Sequence, residues 1–154
     1  MIVDMERNDL SKICKTGSVK IDKLKKVEEY RDLFHYVTTI KGVIKNKMSN
    51  HDIISSLMPG GSVIGCPKIS TIQLLNRKEK FDRNIYTGSF GIIHSNGDMR
   101  FNIMIRTLLN FKNDIELSVA SGVILGSTAK KEYNENYIKA KSVSYTHLRA
   151  HETE

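Results

Sequence analysis

Pro59-Gly60-Gly61-Ser62-Val63-Ile64-Gly65-Cys66-Pro67-Lys68 sets three glycines and a hydroxyl directly ahead of a proline able to open a helix. A helix starting at Pro67 turns unpaired backbone N–H groups and the positive end of its dipole toward that loop, which suits an anion. The bland alternative is a tight turn with no ligand, the commoner use of glycine before a helix. Ile69, Ile72 and Leu75 fall on one side of the expected helix over residues 67–78. Upstream, Ser49 or Asn50 can cap a short helix over residues 51–58, which Pro59 stops.

The rest of the chain changes period twice. Ile2, Val3, Leu10 and Ile13 recur at helical spacing, and Gly17 is placed to end that helix. Residues 19–21 and 36–43 read as strands, whereas residues 27–35 fit either period. Beyond the signature helix, residues 85–94, 99–109 and 115–125 read as strands of an antiparallel meander. A last helix is expected over residues 127–141, capped by Ser127 or Thr128. The class is α+β. Ser95-Asn96-Gly97-Asp98 sets the hairpin register: a three-residue loop with Gly97 in the left-handed region puts Tyr86 opposite Arg106. A two-residue Asn96-Gly97 loop would put Arg106 opposite Thr87 instead, and the first register is the expected one.

At 154 residues with 40% hydrophobic and 27% charged residues, the chain has the length and composition of one soluble domain. It holds no apolar run near the roughly 20 residues of a membrane span and no secretory leader, so a cytoplasmic protein without a membrane partner is expected. Cys14 and Cys66 are too few for a disulfide framework or a zinc site, and both read as small buried thiols. The net charge of +7 suits an anionic partner. However, Lys20, Lys23, Lys25 and Lys26 stand beside Glu28 and Glu29 without interleaved aromatics, the pattern of a solvated face and not of a nucleic-acid platform.

Glu132, Glu135 and Lys139 project from one face of the last helix. Two carboxylates one turn apart can share a hard divalent cation, and a lysine one turn further can meet an anion beside it. A solvated, salt-bridged face is the bland reading of the same spacing. His35 lies among apolar neighbours, where histidine usually serves structure. Asp4, Arg7, Asn8 and Asp9 form a polar cluster on the first helix that either braces loops or touches ligand, and no catalytic role is assigned to it.

The decapeptide resembles the Pro-Gly-Gly-Ser-Ile-Thr-Gly-Ala-Pro-Lys signature of the chorismate-utilising enzymes, the family of anthranilate synthase component I, aminodeoxychorismate synthase component I and the isochorismate and salicylate synthases. Met1 to Leu10, Leu33 to Val37, Gly97 to Leu108 and Glu132 to Lys139 are similar to further motifs of that family. The resemblance implies a two-layer antiparallel β-sandwich with outer helices, the chorismate-binding fold, of which this chain carries the C-terminal portion over residues 1–142. Residues 143–154 resemble read-through of a sequencing adapter. It implies Mg2+ held by Glu132 and Glu135, with Lys139 on a substrate carboxylate and His35 assisting departure of a hydroxyl. Tyr86 and Arg106 would hold the enolpyruvyl carboxylate, with Ser62 and the backbone at Gly122 contacting substrate.

The implied reaction is amination of chorismate, most like aminodeoxychorismate synthase component I, with ammonia from a glutamine amidotransferase. Anthranilate synthase component I, an isochorismate or salicylate synthase, and an inactive member are the alternatives. A nucleophilic lysine and another magnesium-binding glutamate of the family belong to motifs upstream of Met1, so the chain alone is expected to be inactive. Ile64, Ala120 and Gly126 depart from the family pattern.

Overall fold

The computed structural model describes residues 1–30 and 33–148, and of residues 30, 33, 35, 142 and 144–148 the backbone alone. The chain forms two units, Met1–Lys80 and Phe81–Glu154. The first holds α1 (Ile2–Ile13), β1 (Lys20–Tyr30), β2 (Leu33–Lys41), α2 (Asn50–Leu57), α3 (Gly61–Ile64) and α4 (Lys68–Lys78). The second holds β3 (Ser89–Ile93), β4 (Met99–Ile103), β5 (Leu108–Phe111), β6 (Asp114–Leu117) and α5 (Ala129–Leu148). The expected α+β class is observed.

α1 follows its apolar spacing and buries Ile13, but it ends at Cys14, ahead of Gly17. The reason lies in the segment after β2: Lys15 N–H donates to the Val43 carbonyl at 2.7 Å and Lys45 N–H to the Ile13 carbonyl at 2.9 Å. Cys14 and Ile44 thereby form an antiparallel bridge, and competition from these bonds pulls the chain out of the helix. Gly17, at φ +73°, serves the turn that follows.

Of the ambiguous stretch over residues 27–35, residues 27–30 and 33–35 are strand, paired antiparallel so that Val27 faces Tyr36 and Glu28 faces His35. β1 runs well past the expected residues 19–21 because β-branched Val37, Thr38, Thr39 and Ile40 offer it a strong partner strand. Register shifts flank Lys23, and Lys25 takes φ +48° while donating its N–H to Thr38 Oγ1 at 3.1 Å. The lysines of β1 are exposed. α2 has Ser49 as its cap: Ser49 Oγ accepts from Asp52 N–H at 3.1 Å, and Asp52 Oδ2 accepts from Ser49 N–H at 3.0 Å. α4 begins at Lys68 with Pro67 as N-cap, one residue after the expected start, and Ile69 is 75% exposed while Leu75 is half-buried, so the first turn of its apolar stripe is uncovered within this unit.

The second unit is not one meander. β3 pairs with β4 and β5 with β6 as separate two-stranded antiparallel sheets, and the first unit has its own two-stranded sheet of β1 and β2. The expected strands over 85–94 and 99–109 are interrupted at Thr87 and Arg106, which take φ +63° and +51° and so leave the ladder. The hairpin itself keeps the expected register, with Ile93 opposite Met99 and Ser89 opposite Ile103. Gly97, at φ +91°, supplies its left-handed residue. α5 runs past the expected end at residue 141 to Leu148, as nothing in that stretch is Gly or Pro, and it buries Val143. Among the described residues the buried apolar side chains are Ile13, Cys14 and Val143, whereas Phe90, Ile92 and Ile103 of the β3–β4 sheet are exposed.

A Cβ at Gly97 meets no atom within 4 Å, so its cost is purely one of backbone conformation. Gly97→Ala should therefore lower stability by about 1–2 kcal/mol, read by urea unfolding, without moving the register of β3 and β4 in amide exchange.

Candidate functional site

The signature loop meets an anion supplied by the chain itself. Ser62, Val63 and Ile64 do not form the irregular loop their glycines suggested but the single-turn helix α3 opened by Gly61. Gly61 N–H donates to Asp9 Oδ2 at 2.9 Å. Lys68, the last residue of the signature, reaches the same oxygen at 2.9 Å, while Lys12 reaches Asp9 Oδ1 at 3.0 Å. Lys68 also donates to the carbonyls of Ser56 and Leu57 at 3.2 and 3.3 Å, tying the end of α2 to the start of α4. Asp9 is 2% exposed. Burial pushes its carboxyl up, but Lys68, the Gly61 N–H and Lys12 together outweigh that and hold it below the ordinary value of 3.8. Of the two roles open to the first-helix polar cluster, Asp9 braces the loop. A Cβ on Gly61 would lie 2.9 Å from Cys66 Sγ and 3.4 Å from Asp9 Oδ2, so glycine is needed here for closeness of approach. Cys66 is exposed rather than buried, carried to the surface by the turn at Gly65 with φ +106°. Ser62 is half-buried, one residue past the clamp. His35 stands in β2 opposite Glu28, and its side chain lies outside the described residues.

Tyr86 and Arg106 belong to the second unit, and the expected cross-strand pair is not formed. Thr87 N–H donates to the Met104 carbonyl and Met104 N–H to the Gly88 carbonyl, both at 2.9 Å, so two residues face one and the ladder ends in a bulge. Tyr86 N–H and Gly88 N–H turn back to the carbonyls of Arg83 and Ile85. Half-buried Tyr86 lines a small hollow with Arg83, Ile85, Met104 and Leu109, and the Arg83 guanidinium lies 6.0 Å from its ring centroid. Arg106 is exposed. The cation beside Tyr86 is thus Arg83, which pattern reading missed because only a turn over residues 83–86 brings it there.

α5 gathers the remaining residues. Lys139 Nζ lies 2.6 Å from Glu135 Oε1 and donates to the Ala120 carbonyl at 3.2 Å. Glu132 points to the segment before the helix: the hydroxyls of Ser121 and then Ser127 hold its carboxyl below the ordinary range, helped by the charge of Lys139. Ser127 Oγ also accepts from Ile124 N–H at 3.0 Å, so it fastens the preceding turn, and Thr128 is left as the residue before the helix. No spacing rule would have found Ser121. Glu132 Oε2 and Asn136 Oδ1 are shut off from solvent and complete no hydrogen bond. Buried acceptors without a donor are costly, and hard oxygens are what Mg2+ takes, so these residues fit such a cation. Among the described residues no three His, Cys, Asp or Glu side chains form a metal cluster. Gly122 is exposed, and a Cβ there would meet nothing within 4 Å, so its backbone is open to approach.

The profile of the chorismate binding enzyme family matches residues 1–145, and the chain belongs to that family. It is 36% identical over 143 residues to an anthranilate synthase component I-like protein of Synechocystis. It is also 36% identical over 140 residues to aminodeoxychorismate synthase component 1 of Bacillus subtilis. These alignments cover 93% and 91% of this chain but 30% of each relative's length. Anthranilate synthase component I of Streptococcus pneumoniae superposes with a TM-score of 0.78 at 33% identity, over 94% of this chain and 33% of that one. A Bacillus anthracis protein described as a 2,3-dihydroxybenzoate-specific isochorismate synthase gives 0.79 at 25% identity, over 94% and 38%. The antiparallel sheets and helices are therefore those of the α+β chorismate-binding fold. No helix among the described residues is long and apolar enough to cross a membrane.

Removing the Asp9 carboxylate strands the ammonium of Lys68, which is 14% exposed, so Asp9→Ala should cost about 3–5 kcal/mol in chemical unfolding. Because the native pKa of Asp9 is depressed, its contribution is complete above about pH 4 and is lost as pH falls through the lowered value. The unfolding midpoint should accordingly drop on acidification, and Asp9→Asn should flatten that dependence. Gly61→Ala should cost about 1–3 kcal/mol, with part of the loss recovered when Cys66→Ala removes the atom nearest the new methyl group.

Proposed function

We propose that this chain is part of a magnesium-dependent enzyme that aminates chorismate, with 4-amino-4-deoxychorismate, the precursor of p-aminobenzoate and folate, as product. The polar face of α5 carries the proposal: Glu132 keeps a buried oxygen without a partner, and Lys139 reaches back to the Ala120 carbonyl beside Gly122. Glu132 and Glu135 would hold Mg2+, which when bound supplies Lewis acidity at the ring carboxylate of chorismate and draws electron density from the diene. Lys139 presents a point charge to the same carboxylate, and the open backbone at Gly122 lets N–H groups approach it. Arg106, exposed and so open to a ligand, holds the enolpyruvyl carboxylate, for which a guanidinium fork is suited. Ser62 donates a hydrogen bond to the substrate. To His35 the family resemblance assigns general-acid assistance to the hydroxyl that leaves the ring. Ammonia arrives from a glutamine amidotransferase subunit in the cytoplasm.

Gly97 to Leu108 supports the aminodeoxychorismate branch by its wording. Anthranilate synthesis is the second reading, favoured by the equal 36% identity to the Synechocystis relative.

The test is turnover by the full-length protein that carries this segment, given chorismate, Mg2+ and ammonium, with products resolved chromatographically. Aminodeoxychorismate is expected, anthranilate would replace it with the second reading, and no consumption of chorismate would reject both. Glu132→Gln should lower kcat on the order of 10²-fold or more while leaving circular dichroism unchanged. Residues 1–154 alone should give no turnover.

A further inference from the structure

We propose that Asn136 is a further oxygen ligand of the divalent cation on α5, sharing it with Glu132. The inference rests on the cation reading above and adds a residue which the two-glutamate pattern leaves out. Glu132 and Asn136 are four residues apart on α5, so their Cβ atoms stand about 5–6 Å apart on one face. Both present an oxygen that is closed to solvent and completes no hydrogen bond, Glu132 Oε2 and Asn136 Oδ1. Two acceptors cannot satisfy one another; each needs a donor or a cation. One hard cation serves both at once, since ligands about 2.1 Å from Mg2+ bring neighbouring oxygens to about 3 Å of each other. The charged and polar groups around the pair agree with this. Lys139 directs its ammonium to Glu135 Oε1 and to the Ala120 carbonyl. A carboxamide beside a carboxylate adds a ligand oxygen without adding a second negative charge to a half-buried position.

The experiment is a titration of the full-length protein that carries this segment with Mn2+, a paramagnetic stand-in for Mg2+, following the loss of the free-ion resonance signal. Wild type should bind saturably, Glu132→Gln should abolish binding, and Asn136→Leu should weaken it at least fivefold. Asn136→Asp should tighten binding severalfold, and Mn2+ should raise the melting temperature of that variant more than that of wild type. The aspartate variant keeps the test decisive if the leucine variant fails to fold. Weaker binding by Asn136→Asp would mean that the amide nitrogen of Asn136 serves Glu132 as a donor, and the inference falls. Wild-type affinity in both Asn136 variants, with Glu132→Gln inactive in binding, would overturn the role of Asn136 and leave the glutamate site standing. No saturable binding by wild type at millimolar Mn2+ would overturn both together.

Discussion

Asp9 is the point on which the first unit turns. A carboxylate from the first helix enters the interior and is repaid there by two ammonium groups and a backbone N–H. Buried charge is tolerated on those terms alone. Through Lys68 the same anion fixes the end of α2 and the start of α4, and through Gly61 it fixes α3. With Ile13 and Cys14 as the buried apolar side chains described in this unit, polar bonds rather than a large core determine where the signature loop sits.

The second unit uses a different device. Its closing helix is anchored to the segment before it by polar contacts: Lys139 to Ala120, and Glu132 to Ser121 and Ser127. These contacts give one departure from the family pattern, Ala120, a physical reading. Ala120 contributes its carbonyl, which any residue could supply, so the methyl group in place of hydrogen leaves that bond intact. Gly126 leaves open space around its own Cβ position, and nothing in the structure explains its presence there.

Much of this was legible from the chain alone, for identifiable reasons. The α1 and α4 periods, the Ser49 cap and the Gly97 hairpin register all depend on neighbours within a few residues, where spacing is a sufficient guide. The grouping of Glu135 with Lys139 is of the same kind, a one-turn helical neighbour. What was not legible depends on distant segments. Cys14 leaves the helix because residues 43–45 compete for its backbone, and Tyr86 loses Arg106 because Thr87 and Gly88 crowd against Met104. Asp9, read as either a brace or a ligand contact, was resolved by partners 52 and 59 residues away in sequence.

Sequence by itself determined the class, the family and the set of chemical groups available, since motif wording and short-range periodicity are properties of neighbouring residues. The tertiary structure alone decided which of those groups are spent on holding the fold and which remain unsatisfied. Lys68 and the Gly61 N–H are consumed by Asp9, whereas Glu132 and Asn136 keep oxygens with no donor. That division follows from burial, because a polar atom taken out of water needs a partner, and only the folded chain determines whether one is within reach.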